Sequence, residues 1–164
     1  MFRNLLRKRE SGFTIIEVLI VLAIAGLILV VVLIAVPQLQ RNQRNEARRS
    51  VLNRIATELS NFSGNNGGSF PTEGSATDGS SFLGGFKTRY IDSAPAGTFN
   101  TPRNVAFTYS VYAAQTSVPE DEIMFNLGGQ CNGELPTGTG ASTTRNYAIA
   151  VGLEGGASYC VDNQ

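Results

Sequence analysis

Near the start of the chain, Gly12-Phe13-Thr14-Ile15-Ile16-Glu17 sets one carboxylate at the head of an apolar run that carries no other charge until Arg41. An acid at that depth is costly in lipid unless something pairs with it. Gly12 is a small residue that could serve as a cleavage point. A break there would give Phe13 a free cationic α-amine four residues before Glu17, and would so create the missing partner.

Little other chemistry is on offer. The chain has no histidine and no tryptophan, so the usual general base and the commonest metal ligand are both missing. There is no Gly-x-x-x-x-Gly-Lys-Ser/Thr phosphate loop, and no Gly-x-Ser-x-Gly elbow with a base to activate it. Glu120-Asp121-Glu122 is an acidic run, but neighbouring side chains on extended backbone point in alternating directions, so it reads as a solvated turn rather than a cation site. Asn61-Phe62-Ser63 fits a glycosylation sequon, a match that is frequent by chance. No catalytic residue, metal site or cofactor is assigned, and the expectation is that the protein is not an enzyme.

The 164 residues suffice for one globular domain and an extended N-terminal element. Residues 18–36 are 19 positions without a polar side chain. As a helix they would measure about 28 Å, close to the hydrocarbon thickness of a bilayer. Net charge is zero but unevenly spread. Arg3, Arg7, Lys8 and Arg9 against Glu10 make residues 1–12 basic, while from Asn61 onward four basic face nine acidic side chains. An acidic C-terminal part gives no signal for nucleic acid.

The N-terminal pattern resembles a type IV prepilin, closely over residues 1–40 and in general terms beyond. The resemblance rests on a short basic leader ending in Gly12, on Phe13, on Glu17 and on the apolar run. It implies a leader of residues 1–12, removed after Gly12 by a membrane-embedded prepilin peptidase that also N-methylates Phe13. It further implies a filament core in which Glu17 faces the Phe13 amine of a neighbouring subunit. A secretory signal ending at Ala23-Ile24-Ala25 would leave the longer run and Glu17 without purpose. A plain signal anchor explains the length but not Gly12 before Phe13. Gly26 and Pro37 bracket a stretch suited to kinking or local melting, as a comparable stretch does in the family, although Pro37 stands about one turn later than the common proline.

A helix is predicted over residues 13–62, with its membrane or filament-core half at 13–36 and an end signalled by Ser63-Gly64-Asn65-Asn66-Gly67-Gly68. Val51, Leu52, Ile55, Ala56, Leu59 and Phe62 form one apolar face. Arg41, Arg44 and Arg48 read as another, solvated face, the alternative being contacts to acidic residues of adjacent subunits or to lipid phosphates. Residues 63–104 read as a long variable loop tacked down by Phe82, Phe86, Tyr90 and Ile91. Strand signals follow at 105–112, 122–127, 147–153 and 158–161, joined by Gly-rich turns. The expected class is α+β, a long N-terminal helix on a small antiparallel head at 105–164.

Positive residues flank both ends of the apolar run, so charge alone does not orient it. The resemblance and the polar C-terminal part favour an exported C-terminus. Cys131 and Cys160 would then lie outside the cytoplasm and read as one disulfide, with two buried free thiols as the alternative. Closing that loop would contribute on the order of 3 kcal/mol in the chain-entropy view. In pilins such a closed C-terminal segment is exposed and often mediates subunit contacts or adhesion.

The leading expectation is a structural pilin, held in the cytoplasmic or inner membrane as a single-pass precursor and assembled with copies of itself into a surface filament. The family implies further partners: the prepilin peptidase and N-methyltransferase, an inner-membrane platform protein and a separate assembly ATPase. A pseudopilin of a type II secretion or DNA-uptake machine is the second reading. A monomeric membrane-anchored binding domain is the third.

Overall fold

The computed structural model describes residues 12–71, 85–111, 115–138 and 145–164. Residues 1–11 of the predicted leader, Phe82 in the predicted loop and Tyr112 at the end of the first predicted strand lie outside the described residues. The chain divides into two compact units, Met1–Gln40 and Arg41–Gln164. One helix, α1, Ile15–Asn65, contributes to both and continues through Gly26 and Pro37.

In the first unit every described side chain is exposed. The apolar window here has a mean hydropathy of 3.5 and none of it is buried, which makes the helix long and apolar enough to cross a membrane. A helix that is apolar all round in this way has a lipid or protein environment as its natural surroundings, not water.

In the second unit, residues 41–65 of α1 lie against a sheet. Its strands are β1, Thr108–Val111, β2, Glu122–Leu127, β5, Tyr147–Gly152, and β6, Ser158–Asp162, in the order β1-β2-β5-β6. Between them in sequence, β3, Gln130–Asn132, and β4, Leu135–Thr137, make a separate hairpin. Register follows the alternation of side chains: Ile123 pairs with Val151, Phe125 with Ile149 and Leu127 with Tyr147. These six residues face the helix and pack with Val51, Leu52, Ile55, Ala56 and Leu59 in one core. The Tyr147 hydroxyl donates to the Ala56 carbonyl at 3.3 Å, and burial raises its pKa.

The intervening residues point the other way. Met124 and Ala150 join Val118 in a second small core, with Leu135 and Cys160 packed against it. β5 is therefore buried along its whole length. Its small residues are required on this face. A Cβ at Gly152 would sit 1.9 Å from the Pro119 carbonyl oxygen, because Glu120 bridges to Gly152 as the chain enters β2.

The α+β class holds, but the sheet is mixed rather than wholly antiparallel. β1 and β2 are parallel, Thr108 opposite Glu122 and Val111 opposite Phe125. Ten residues, 112–121, join the two strands in sequence, so no two-residue hairpin turn imposes antiparallel pairing. β1 also starts at Thr108, leaving Val105 exposed outside it.

The helix ends at Asn65, three residues beyond the predicted end, where Gly68 N donates to the Ser63 carbonyl at 2.8 Å and Gly67 and Gly68 take positive φ. The described part of the predicted loop is more ordered in kind than its composition suggests. Lys87–Ile91 forms a single π-helical turn. Phe86 is buried, with its ring stacked on Tyr90 and edge-on to Phe62 and Phe125. Phe86, Tyr90 and Ile91 thus anchor this segment to the core.

Candidate processing and assembly segment

The N-terminal chemistry is organised by the start of α1. Thr14 precedes the first helical residue, Ile15, and Glu17 stands three residues after it. Thr14 donates to Glu17 Oε2 twice, from its backbone N at 2.8 Å and from Oγ1 at 2.7 Å, while Glu17 N reaches back to Thr14 Oγ1 at 3.4 Å. This is a capping box, in which a threonine and a glutamate satisfy each other's end of the helix. The Thr-x-x-Glu spacing announces it in the sequence, and Thr14 is the functional residue that the sequence reading passed over. Before any cut, Glu17 already has a partner for one of its two oxygens.

Gly12 and Phe13 lie just outside the helix. Phe13 is 88% exposed, and no described atom lies within 4 Å of the position a Gly12 Cβ would take. Among the described residues, nothing covers the junction. In the uncut chain the Phe13 nitrogen is a peptide N, so the structure brings Thr14, not a terminal amine, to Glu17. Gly26 lies on an open helix surface, and Pro37 lies within the helix.

The arginines beyond the apolar run do not form a separate solvated face. At the α-helical step, positions 41, 44, 48, 51, 55, 59 and 62 fall within an arc of about 80°, so the row runs into the apolar stripe. Arg48 is fully buried. Its Nη2 and Nε bond Asp121 Oδ1 at 2.7 and 3.0 Å, and its Nη1 bonds Glu154 Oε1 at 3.2 Å. Arg44 holds Glu154 in a two-point pair, Nε to Oε1 at 2.5 Å and Nη2 to Oε2 at 2.8 Å. Arg103 approaches Asp121 and Glu154 from outside at 3.6 and 3.8 Å. Farther along α1, the Arg49 and Arg54 guanidiniums lie over the rings of Tyr159 and Phe99.

Two expectations are corrected here. Of the predicted row, Arg44 and Arg48 are spent on acids of their own subunit, whereas Arg41 is exposed and forms no ion pair among the described residues. The acidic run is likewise no solvated turn. Asp121 takes a φ of 60° to aim its carboxylate at Arg48, Glu122 accepts from the Ser110 hydroxyl, and Glu120 faces Arg103. The cluster reshapes its own titration. The hydrogen bond from Arg44, aided by Arg48, outweighs burial and holds the Glu154 carboxyl at about 2, while the same bond raises Arg44.

Cys131 on β3 and Cys160 on β6 are joined as a disulfide, with Cα atoms 5.9 Å apart. Asp162 Oδ2 accepts from Cys131 N at 2.7 Å beside it. The bridge ties the β3–β4 hairpin to the last strand of the sheet.

Residues 7–33 match a family model described as the prokaryotic N-terminal methylation motif. No curated protein and no solved structure matches the chain. The matched span is the prepilin-type cleavage and methylation segment, and it contains Gly12, Phe13, Thr14, Glu17 and Gly26. It indicates a type IV pilin-like or pseudopilin protein that is processed by a prepilin peptidase and enters pilus-like machinery.

Proposed function

We propose that the protein is the structural subunit of a type IV pilus. The observation that carries this reading is the conjunction at the N-terminus: an open Gly12–Phe13 junction, the Thr14–Glu17 capping box and an apolar helix with no buried surface, all within a methylation motif. Cleavage after Gly12 removes residues 1–12 and frees the Phe13 amine, which is then N-methylated. Glu17 Oε2 is already taken by Thr14, and Oε1 is left to receive the amine of a second copy. That pairing makes a desolvated carboxylate tolerable and fixes the register between subunits.

Before assembly the helix anchors the precursor in the cytoplasmic membrane; afterwards residues 13–36 form the core of a surface filament. Gly26 and Pro37 bracket the part of the helix that loosens when neighbours pack around it. The role is structural, so energy comes from a separate ATPase acting through a membrane platform protein. The disulfide-closed C-terminal segment favours an exposed subunit over a pseudopilin of a secretion or DNA-uptake machine, which is the second reading.

Intact-mass and N-terminal analysis of the protein from its host tests this directly. The mature chain begins at methylated Phe13; a chain that keeps Met1 or starts after Ala25 overturns the proposal. Shearing cells and probing the released fibres for this chain then separates pilus from pseudopilus.

A further inference from the structure

A cleft of about 220 Å³ opens beside β1 in the second unit. β1 and β6 are the opposite edges of the sheet, so this cleft and the disulfide belong to different sides of the domain. The π-helical turn builds one wall. Residues five apart diverge on an α-helix, but the wider turn closed by Asp92 N on the Lys87 carbonyl, at 2.8 Å, brings those two side chains together. Lys87 Nζ donates to both Asp92 oxygens at 2.8 Å. The same ammonium stands 5.8 Å from the centre of the Tyr109 ring. Buried Phe99 and Phe107 also line the cleft.

The chemistry of this wall is specific. Lys87 and Asp92 cancel in charge, so an ionic ligand gains nothing from the pair as a whole. What the pair offers is a donor next to an acceptor, the complement of two adjacent hydroxyl groups. Aromatic carbon beside it offers a face for C–H groups. Burial, reinforced by the Asp92 carboxylate, raises the Tyr109 phenol to about 12, so it remains a donor at any physiological pH. Sites for drug-sized ligands occupy about 300–1,000 Å³, so this one suits a single ring.

We propose that the cleft formed by Lys87, Asp92, Tyr109, Phe99 and Phe107 binds one pyranose ring of a neutral glycan, two neighbouring hydroxyls on the Lys87–Asp92 pair and its C–H face toward the aromatic rings.

The test uses the full chain in a phosphocholine detergent, which has no sugar headgroup. Saturation-transfer-difference NMR is run separately with the methyl glycosides of glucose, galactose, mannose and N-acetylglucosamine. At least one receives saturation, concentrated on the hydrogens of one ring face. Its affinity falls about tenfold in the near-isosteric Asp92→Asn, which turns an acceptor into a mixed group, and as far in Lys87→Met. Circular dichroism melts of both variants confirm that the fold is kept. Should all four glycosides receive no saturation, or should binding persist unchanged in both folded variants, the proposal fails.

Discussion

Asn45 holds both backbone polar groups of Glu154. Its Oδ1 accepts from Glu154 N at 2.9 Å, and its Nδ2 donates to the Glu154 carbonyl at 3.4 Å. A helix side chain thus imitates a strand neighbour for the turn between β5 and β6. It fixes the backbone while Arg44 and Arg48 fix the carboxylate, so a short stretch of α1 grips this turn by main chain and side chain together.

Arg48 is the member of this grip whose loss costs most. It is fully buried, and the Glu154 side chain is only 8% exposed. In Arg48→Met both Asp121 and Glu154 lose a buried partner, although Arg44 and Arg103 remain nearby. A destabilisation of about 3 kcal/mol is expected, the lower end for breaking a buried pair. Urea denaturation of the full chain in detergent measures it. A loss under about 1 kcal/mol would place the pair with ordinary surface bridges.

The pH dependence has a definite sign. The Glu154 carboxyl lies at about 2 in the folded chain against an ordinary 4.5. A depressed carboxylate contributes its stabilisation fully above the ordinary value and loses it as pH falls toward the folded one. The folded domain should therefore weaken between pH 4.5 and 2, and Glu154→Gln should flatten that decline while lowering stability at pH 7. Denaturation midpoints taken at several pH values in this window decide it; an unchanged slope in the variant would assign the acid sensitivity to other groups.

These contacts also mark the limit of what the sequence reveals. β5 was legible because large residues at 147, 149 and 151 alternate with small ones, β2 as a short apolar run, and β6 as the segment after the Gly155-Gly156 turn. The processing segment was legible because its residues act on neighbours within a few positions. Arg44 and Arg48 were not, since a charge on a helix reads as solvated until a partner is known. Their partners, Asp121 and Glu154, lie 73 and more residues away. The parallel placement of β1 beside β2 is a tertiary pairing, and no local preference encodes it. β3 and β4 escaped because three residues apiece, with Pro136 in one, carry no strand pattern. Nothing in Lys87–Ile91 signals a π turn.

Gly152 should tolerate no side chain. An added Cβ meets Pro119 backbone atoms at 1.9 and 2.4 Å, and backbone cannot swing aside. Gly152→Ala is expected to cost at least the ~3 kcal/mol at the upper end of ordinary overpacking. Gly64→Ala is the natural control, because that helical position has open space and alanine is the better helix former by up to about 1 kcal/mol. Thermal midpoints of the two variants should move in opposite directions. Equal shifts would show that the β5 contact with Pro119 yields more easily than its geometry implies.

Glu17→Ala separates the two partners of one carboxylate. In the single chain Glu17 caps the helix through Thr14, and losing a capping contact costs about 1 kcal/mol at a helix end. That is too little to prevent insertion of a run with a mean hydropathy of 3.5. Within a filament, the same change leaves the Phe13 amine buried and unpaired, which is far more costly. The variant is therefore expected in the membrane at normal level and processed at Gly12, but with filament yield reduced at least tenfold. Thr14→Val removes the hydroxyl and keeps the acid, so it should weaken the cap and leave assembly largely intact. Membrane fractionation, N-terminal mass and sheared-fibre yield, measured for both variants, read the three steps separately. Filaments at wild-type yield from Glu17→Ala would show that the capping box is the whole role of that carboxylate.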